Sequence, residues 1–161
     1  MKFKTKYIVM GVIIAIALLV DLVTKQLFKD IEYTKIIPGI IAFQTNGGNT
    51  GAAFGIFSKS TTFLIVFSII IVLCLMVVDG MLKIRTKVYT IGFGLILAGA
   101  VGNFVDRIML GYVRDFIMFD FWKSFPIFNF ADCCIVIGAV LVCAHFMFLS
   151  NNKKAGKDGT N

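Results

Sequence analysis

Charged residues are scarce in this chain, and their scarcity excludes an ordinary soluble domain. They make up 16% of the 161 residues, whereas soluble proteins carry about 25%. Hydrophobic residues make up 58%, and the mean hydropathy is +0.90. No stretch has the polar, charge-rich composition that is typical of a disordered region of domain size. The apolar excess therefore predicts a protein that lies in a membrane.

Histidine and metal-binding motifs are also nearly absent. The chain has one histidine, His145, and no H-E-x-x-H sequence, which excludes a zinc peptidase of that type. The four cysteines, at positions 74, 133, 134 and 143, show no metal-ligand spacing. We interpret them as buried thiols that pack as small apolar side chains. These absences leave the acidic residues as the main candidates for chemistry.

Four uncharged apolar stretches are present, and three of them have the roughly 18 residues needed to cross a bilayer. The first has 14 residues before Asp21, but its apolar pattern continues to Phe28 and no signal-peptide cleavage site follows. We predict an all-α integral membrane protein with transmembrane helices at about 7–28, 60–78, 88–105 and 133–151. Residues 152–161 are predicted to be a disordered tail. The whole chain, 1–161, is expected to form one membrane-embedded domain.

The positive charges are unevenly distributed and predict the orientation. Nine of the sixteen Lys and Arg residues lie before the first helix, between the second and third, and after the fourth. Because cytoplasmic loops carry the excess of Lys and Arg, both termini are predicted to be cytoplasmic. The formal net charge of +7 is then a topology signal. A nucleic-acid partner is not expected.

The acidic residues lie mainly in the two loops on the other, extracytoplasmic side. The first loop, about 29–59, contains Pro38-Gly39 and a Gly-rich run from Asn46 to Gly51. With β-prone neighbours, these residues predict short strands and tight turns, with the Gly-rich run as a candidate lid. The two loops, the second about 106–132, contain six of the nine acids: Asp30, Glu32, Asp106, Asp115, Asp120 and Asp132.

Asp21 and Lys25 are ionisable residues within the first helix. Their spacing of four places them on one helix face as a favourable pair. Ionisable groups at membrane depth are functional candidates, although an ion pair that anchors the helix end is an equal alternative. A small ion-coupled transporter that uses Asp21 and Lys25 is the alternative function, and a purely structural membrane partner is a third.

Two aspartates near one membrane surface are the candidates for acid–base catalysis. Asp115 lies among apolar residues, and Asp132 precedes the fourth helix, close to where the third helix ends. If the two meet, they can share one proton and act as base and acid on a single water, as in aspartic proteases. Sequence alone does not bring them together. Two alternatives stay open: a Mg²⁺ or Ca²⁺ site on the external acids, and a Ser/Lys pair of Lys25 with Ser58 or Ser60.

Five motifs in order make the chain resemble one family. The chain contains Asp21-x-x-x-Lys25, Gly102-Asn103-x-x-Asp106-Arg107 and Val113-x-Asp115-Phe116, with two further runs, Asn49 to Gly55 and Phe128-Asn129-x-Ala131-Asp132. Together they closely resemble lipoprotein signal peptidase, the bacterial type II signal peptidase. The resemblance covers the chain outside its two tails.

The resemblance implies an intramembrane aspartic endopeptidase of the bacterial cytoplasmic membrane, with a small extracytoplasmic β-rich cradle between the first two helices that agrees with the strands and turns predicted for about 29–59. Such an enzyme removes the signal peptide from diacylglyceryl-modified prolipoproteins, cutting just before the lipidated cysteine. It works without a metal or other cofactor, is inhibited by cyclic peptides such as globomycin, and is expected to contact membrane lipid and to be monomeric. By motif, Asp115 and Asp132 correspond to the catalytic pair. Substrate-binding positions match Asn103, Arg107 and Asn129, and site-supporting positions match Asp21, Lys25, Asn49, Gly51 and Asp106.

Two residues depart from the family pattern. Arg114 precedes Asp115 where an apolar residue is usual, and Cys133 follows Asp132 where a serine is common. Adjacent side chains in an extended segment point to opposite faces. We therefore expect Arg114 to face headgroups or water, away from Asp115.

Overall fold

The structure, a computed structural model, describes residues 1–45, 48–50 and 61–149. Its four long helices are α1 (Phe3–Leu27), α2 (Thr61–Leu82), α3 (Lys87–Leu110) and α4 (Phe130–Ala144), and α4 continues into a π-helical segment, His145–Leu149. Each is long and apolar enough to cross a membrane. The predicted four-helix membrane fold is confirmed.

The helices extend beyond the predicted apolar stretches at several ends. α1 begins at Phe3, α2 continues to Leu82 and α3 to Leu110. The prediction stopped at charged residues, but a helix continues through them where they are paired or reach the interface. α4 begins at Phe130, three residues before the predicted start, so that Asp132 lies in its first turn. The predicted tail lies outside the described residues.

The α3 helix is the centre of the bundle. Buried residues make up 56% of its membrane span, against 11% to 22% in the spans of the other helices. Glycines allow the close approach of its neighbours. A side chain at Gly92 would lie 2.8 Å from the backbone oxygen of Gly138 in α4, and one at Gly102 would lie 2.5 Å from Oδ2 of Asp21 in α1. The backbone carbonyl of Gly138 and the carboxylate of Asp21 can therefore lie this close to α3 because Gly92 and Gly102 have no side chains.

A three-stranded antiparallel sheet lies at one end of the bundle, called the sheet end below. Strands β1 (Thr34–Ile37) and β2 (Ile41–Phe43) form a hairpin whose turn contains Gly39 at φ 74°. The third strand, β3 (Ile117–Phe119), comes from the loop between α3 and α4 and pairs with β2. The predicted β-rich cradle is confirmed, but both loops build it.

A buried ion pair lies at the opposite end of the bundle. Nζ of Lys6 in α1 is 2.6 Å from Oδ1 of Asp79 in α2, and both side chains are at most 3% exposed. Lys6 also lies over the rings of Tyr7 and Tyr89. One of the nine cations that predicted the orientation therefore links two helices.

The cysteines differ from their predicted burial. Cys134 is buried and Cys133 is half-buried, whereas Cys74 and Cys143 are exposed on the helices. The prediction of four buried thiols is wrong for these two, because a membrane helix can expose an apolar face that a soluble helix would bury. All four thiols are free.

Candidate active site

Polar side chains from three helices and one extended segment meet at the sheet end. α1 contributes Asp21 and Lys25, while α3 contributes Asn103, Asp106 and Arg107. The segment after α3 contributes Asp115, and the start of α4 contributes Asn129 and Asp132. Nine of the ten residues taken from the family motifs lie in this cluster, which includes Asn49; the tenth, Gly51, lies outside the described residues.

A capping box holds Asp132. Asn129 precedes α4, and its side-chain oxygen accepts a hydrogen bond from the backbone N–H of Asp132 at 3.1 Å. In return, Oδ2 of Asp132 accepts from the backbone N–H of Asn129 at 3.1 Å. This reciprocal pattern satisfies two amide groups that would otherwise be unpaired at a helix start. The second carboxylate oxygen, Oδ1, accepts from the amide of Asn103 at 2.7 Å.

Residues 113–116 form an extended segment, the strap, that holds Asp115 opposite α4. The backbone of Val113 exchanges two hydrogen bonds of 2.9 Å with the backbone of Asn49. The N–H of Phe116 donates to the carbonyl of Phe128 at 3.0 Å. The ring of Phe116 packs against those of Phe28 and Phe43. The strap is therefore fixed by backbone bonds and by an aromatic cluster.

Both oxygens of Asp115 accept amide donors. Nδ2 of Asn129 lies 2.6 Å from Oδ1, and Nδ2 of Asn49 lies 2.9 Å from Oδ2. Asn129 thus contacts both aspartates, Asp115 through its side chain and Asp132 through its backbone N–H and side-chain oxygen. The structure brings together the two carboxylates whose meeting the sequence left open.

Burial raises the pKa of the Asp115 carboxyl to about 6. The side chain is 4% exposed, so its charged form has lost most of its hydration. The amide of Asn49 lowers the pKa, the negative charge of Asp132 raises it, and the amide of Asn129 and the charge of Lys25 lower it. Loss of hydration is the largest of these effects.

A second group of charges lies beneath the aspartates. Nζ of Lys25, fully buried, is 2.8 Å from Asp21 and 3.5 Å from Asp106, and it donates to Oδ1 of Asn103 at 3.0 Å. Oδ1 of Asp21 in turn accepts the backbone N–H of Ala131 at 2.9 Å. The pair predicted within α1 is therefore part of a network that reaches Asp132 through Asn103.

Arg107 lies one helical turn beyond Asn103. Its Nη1 donates to the backbone carbonyl of Asn103 at 3.3 Å, and its charge interacts with the carboxylates of Asp132, Asp115 and Asp106. Arg107 is half-buried, so a substrate can reach part of it. Asp106 forms ion pairs with Lys25 and with Arg114, whose Nη2 lies 2.6 Å from Oδ1.

The prediction that Arg114 faces headgroups or water is wrong. Its side chain instead folds back onto Asp106 and is 16% exposed. The sequence contains one signal for this contact: Arg114 is an unusual cation eight residues after Asp106, and the structure shows that Asp106 is buried. The alternating pattern of an extended segment gives the direction of a side chain and not its partner.

The remaining expectations from the sequence concern the Ser/Lys pair, the metal site and His145. Ser58 and Ser60, proposed as partners of Lys25, lie outside the described residues. Within the part of the chain that the structure describes, no three His, Cys, Asp or Glu side chains are grouped so that they could hold a metal ion. His145 is buried at the opposite end of the bundle, where its Nδ1 lies 3.1 Å from Oγ1 of Thr86.

An apolar cavity of about 370 Å³ adjoins Asp132 and was not predicted from the sequence. Its walls come from the aromatic loop after β3 and from the first turns of α4. It is lined by Phe119, Phe125, Phe128, Asp132, Cys133, Val136 and Ile137. A substrate group that reacts at Asp132 would therefore have this apolar cavity on one side.

Two carboxylates joined through one asparagine, in a bundle of helices long and apolar enough to span a membrane, are an arrangement that suits an aspartic peptidase. The chain belongs to the signal peptidase II family: the family described as Signal peptidase (SPase) II matches residues 13–148. With its four apolar helices, it is a multi-pass bacterial membrane protein.

Individual relatives support the same assignment. The lipoprotein signal peptidase of Enterococcus faecalis is 36% identical over 132 residues, which cover 81% of this chain and 80% of that protein. The lipoprotein signal peptidase of Halothermothrix orenii is 35% identical over 150 residues, covering 93% and 98%. These relatives do not favour the transporter alternative.

A solved structure matches the fold. It is described as a bacterial membrane enzyme determined by the in meso method at 2.3 Å resolution, and it is 31% identical to this chain. The TM-score is 0.79, with 90% of this chain and 91% of that chain covered. The four-helix arrangement is therefore shared with a known membrane enzyme.

Proposed function

We propose that this protein cleaves the signal peptide from diacylglyceryl-modified prolipoproteins, just before the lipidated cysteine, with Asp115 and Asp132 as the catalytic pair. The observation that carries the proposal is the position of Asn129, which donates to Asp115 at 2.6 Å and to Asp132 at 3.1 Å. Two aspartates held by one residue can act on the same water. The family and its relatives supply the substrate class.

The two aspartates have different surroundings, and these support one assignment of roles. Asp115 is the more deeply buried, and burial raises its pKa to about 6, which favours the shared proton on Asp115. Asp132 lies in the first turn of α4, where the helix dipole favours a negative charge. Asp132 is therefore the general base and Asp115 the general acid.

The reaction then follows by proton transfers between these groups. Asp132 takes a proton from water as the water oxygen bonds to the scissile carbonyl carbon, and Asp115 donates its proton to the carbonyl oxygen. Collapse of the tetrahedral intermediate breaks the C–N bond, the nitrogen receives the proton held by Asp132, and Asp115 regains its own. The products are a free signal peptide and a lipoprotein with an N-terminal lipidated cysteine.

The remaining polar residues support binding and position. Asn103 and Asn129 orient the carboxylates, and half-buried Arg107 can contact substrate beside them. Asp21, Lys25, Asn49 and Asp106 hold these side chains in place, and we keep Gly51 as a further supporting position. The apolar cavity beside Asp132 suits an apolar part of a lipidated substrate.

The orientation and assembly belong to the same proposal. Both termini lie in the cytoplasm, and the sheet end with its two aspartates lies at the extracytoplasmic face, where hydrolysis has water and the substrate's acyl chains have the bilayer. Exposed Phe121 and Trp122 in the loop after β3 support a position of the sheet end at a membrane–water interface, because aromatic residues concentrate at both interfaces. Residues 1–161 act as one domain, a monomer in contact with membrane lipid.

A cleavage assay in detergent micelles tests the proposal. The purified protein is mixed with a diacylglyceryl-modified prolipoprotein or with the same prolipoprotein lacking the lipid, and products are mapped by mass spectrometry. We expect one cut before the cysteine, only in the lipidated substrate, at a rate that EDTA leaves unchanged. Loss of the activity in EDTA would contradict the aspartic mechanism. Cleavage of neither substrate, with ion flux through proteoliposomes, would contradict the peptidase.

A further inference from the structure

Arg114 directly precedes Asp115 and is bound by a carboxylate from another element. Asp106 in α3 accepts the backbone N–H of Arg114 at 3.0 Å and its side chain at two points, Nη2 at 2.6 Å and Nε at 3.3 Å. Nη1 of Arg114 donates to Oε1 of Gln26 in α1 at 3.3 Å. Asp106 is 1% exposed. One buried carboxylate therefore fixes both the backbone and the side chain next to Asp115.

The charges around this contact balance in a specific protonation state. The described residues of the site contain four carboxylates and three cations, and the exposed pair Lys29 and Asp30 lies beside the cavity that Arg114 lines. If the two catalytic aspartates share one proton, the buried group is neutral. Its members are Asp21 and Lys25 in α1, Asp106 and Arg107 in α3, Arg114 and Asp115 in the strap, and Asp132 in α4, beside the thiols of Cys133 and Cys134.

We propose that Arg114 is a positioning residue of the peptidase: by neutralising Asp106, it sets the pH range in which the two catalytic aspartates share a single proton. The inference rests on the proposed function, and it concerns a position where the chain departs from the family pattern. Without the guanidinium, the buried group would carry one extra negative charge, and the shared proton would be held to higher pH.

Two contacts that favour the charged form of Asp106 stay in place when Arg114 is neutralised by substitution. Lys25 remains 3.5 Å away, and the backbone N–H of residue 114 still donates to Oδ2. On the proposal, the extra negative charge on Asp106 then acts on the two catalytic aspartates. Removing Asp106 instead leaves an excess positive charge, with the opposite effect.

The test is the pH profile of kcat/KM, which reports the free enzyme. In Arg114→Met, the alkaline midpoint should rise by about 0.5 to 1 pH unit, the size expected for one added charge in a buried site. In Asp106→Asn it should fall by a similar amount, and the double variant should return close to the wild-type midpoint. Arg114→Lys keeps the charge and should keep the midpoint.

Lys29→Met is the matched control. It removes one positive charge beside the same cavity, but the Lys29 side chain is 49% exposed, so water screens the change and the midpoint should stay within about 0.2 pH unit. An unchanged midpoint in Arg114→Met would overturn the proposal, as would shifts of the same direction in Arg114→Met and Asp106→Asn. If Asp106→Asn does not accumulate in the membrane, the midpoints of Arg114→Met, Arg114→Lys and Lys29→Met decide whether the proposal holds.

A second readout separates this inference from the proposed function. The pH dependence of thermal unfolding, compared between proteins with and without Asp115→Asn, reports the ionisation of Asp115 without any substrate. In the Arg114→Met background this ionisation should move to higher pH. If the ionisation of Asp115 shifts in Arg114→Met but the wild type cleaves no prolipoprotein, the inference is supported and the proposed function is contradicted. If the wild type cleaves but the ionisation does not shift, the proposed function is supported and the inference is contradicted.

Discussion

Asp115 combines deep burial with two amide donors, and these act on it in opposite directions. Loss of hydration favours its protonated form, while the amides of Asn49 and Asn129 favour the carboxylate. Burial prevails, and the pKa of Asp115 is about 6 instead of the ordinary 3.8. The folded protein therefore holds a proton on Asp115 at pH values where the unfolded chain has released it.

This difference predicts a pH-dependent effect of Asp115→Asn on stability. Because folding raises the pKa, the stability associated with this proton is present below pH 4 and is lost as pH rises through about 6. Asparagine does not titrate, so the free energy of unfolding of Asp115→Asn should improve relative to the wild type between pH 4 and pH 7, by up to about 2 to 3 kcal/mol. Thermal unfolding in detergent across this range measures it.

Asp120→Asn is the control for this measurement. Asp120 is half-buried outside the site, and hydrogen bonds from Tyr33 and the backbone of Gly39 lower the pKa of its carboxyl. Its replacement should show a weak trend of the opposite sign. A difference between Asp115→Asn and the wild type that does not change with pH would contradict the assigned pKa.

At the scale of elements, the site depends on how α4 begins. Asn129 is the residue before the helix, and the capping box with Asp132 fixes the carboxylate as a consequence of starting the helix. The same asparagine then reaches the strap. An asparagine followed three residues later by an acid is a known signal for a helix start. The predicted start at Cys133, where the apolar run begins, did not take this signal into account.

Two substitutions of Asn129 separate capping from catalysis. Asn129→Ser keeps an oxygen that can accept from Asp132 N–H but has no amide to donate to Asp115, while Asn129→Ala has neither. Cleavage should fall by about 10- to 100-fold in both, the value of a hydrogen bond to a charged group. Only the alanine variant should lose about 1 kcal/mol of stability. Normal cleavage by Asn129→Ser would show that the amide donor is dispensable.

At the scale of the whole molecule, polar residues gather at the two ends of an apolar bundle. The sheet end holds the buried network, and the opposite end holds the Lys6 and Asp79 pair. Charge patterning predicted four helices, their order and the acidic side, because these depend on composition along the chain. It could not predict Lys6 to Asp79 or Arg114 to Asp106, because partners distant in sequence are set by how the helices pack.

Cysteine accessibility tests the orientation of the bundle. Single cysteines are introduced into a protein whose four native cysteines are replaced by serine. Arg85→Cys changes an exposed residue in the turn between α2 and α3, and Lys123→Cys changes an exposed residue in the loop after β3. A membrane-impermeant thiol reagent applied to intact cells should label Lys123→Cys, and should label Arg85→Cys only after permeabilisation. The reverse pattern would place the two aspartates at the cytoplasmic face.

The proposed mechanism depends most directly on the two aspartates, and their replacement is its strictest test. Asp115→Asn and Asp132→Asn are each compared with Asp120→Asn, a change of the same chemistry at a half-buried position of the same loop outside the site. With a lipidated prolipoprotein, we expect cleavage by the first two to fall by at least about 1,000-fold while both proteins still accumulate in the membrane, and Asp120→Asn to cleave at the wild-type rate. Cleavage at the wild-type rate by either Asp115→Asn or Asp132→Asn would contradict the catalytic pair.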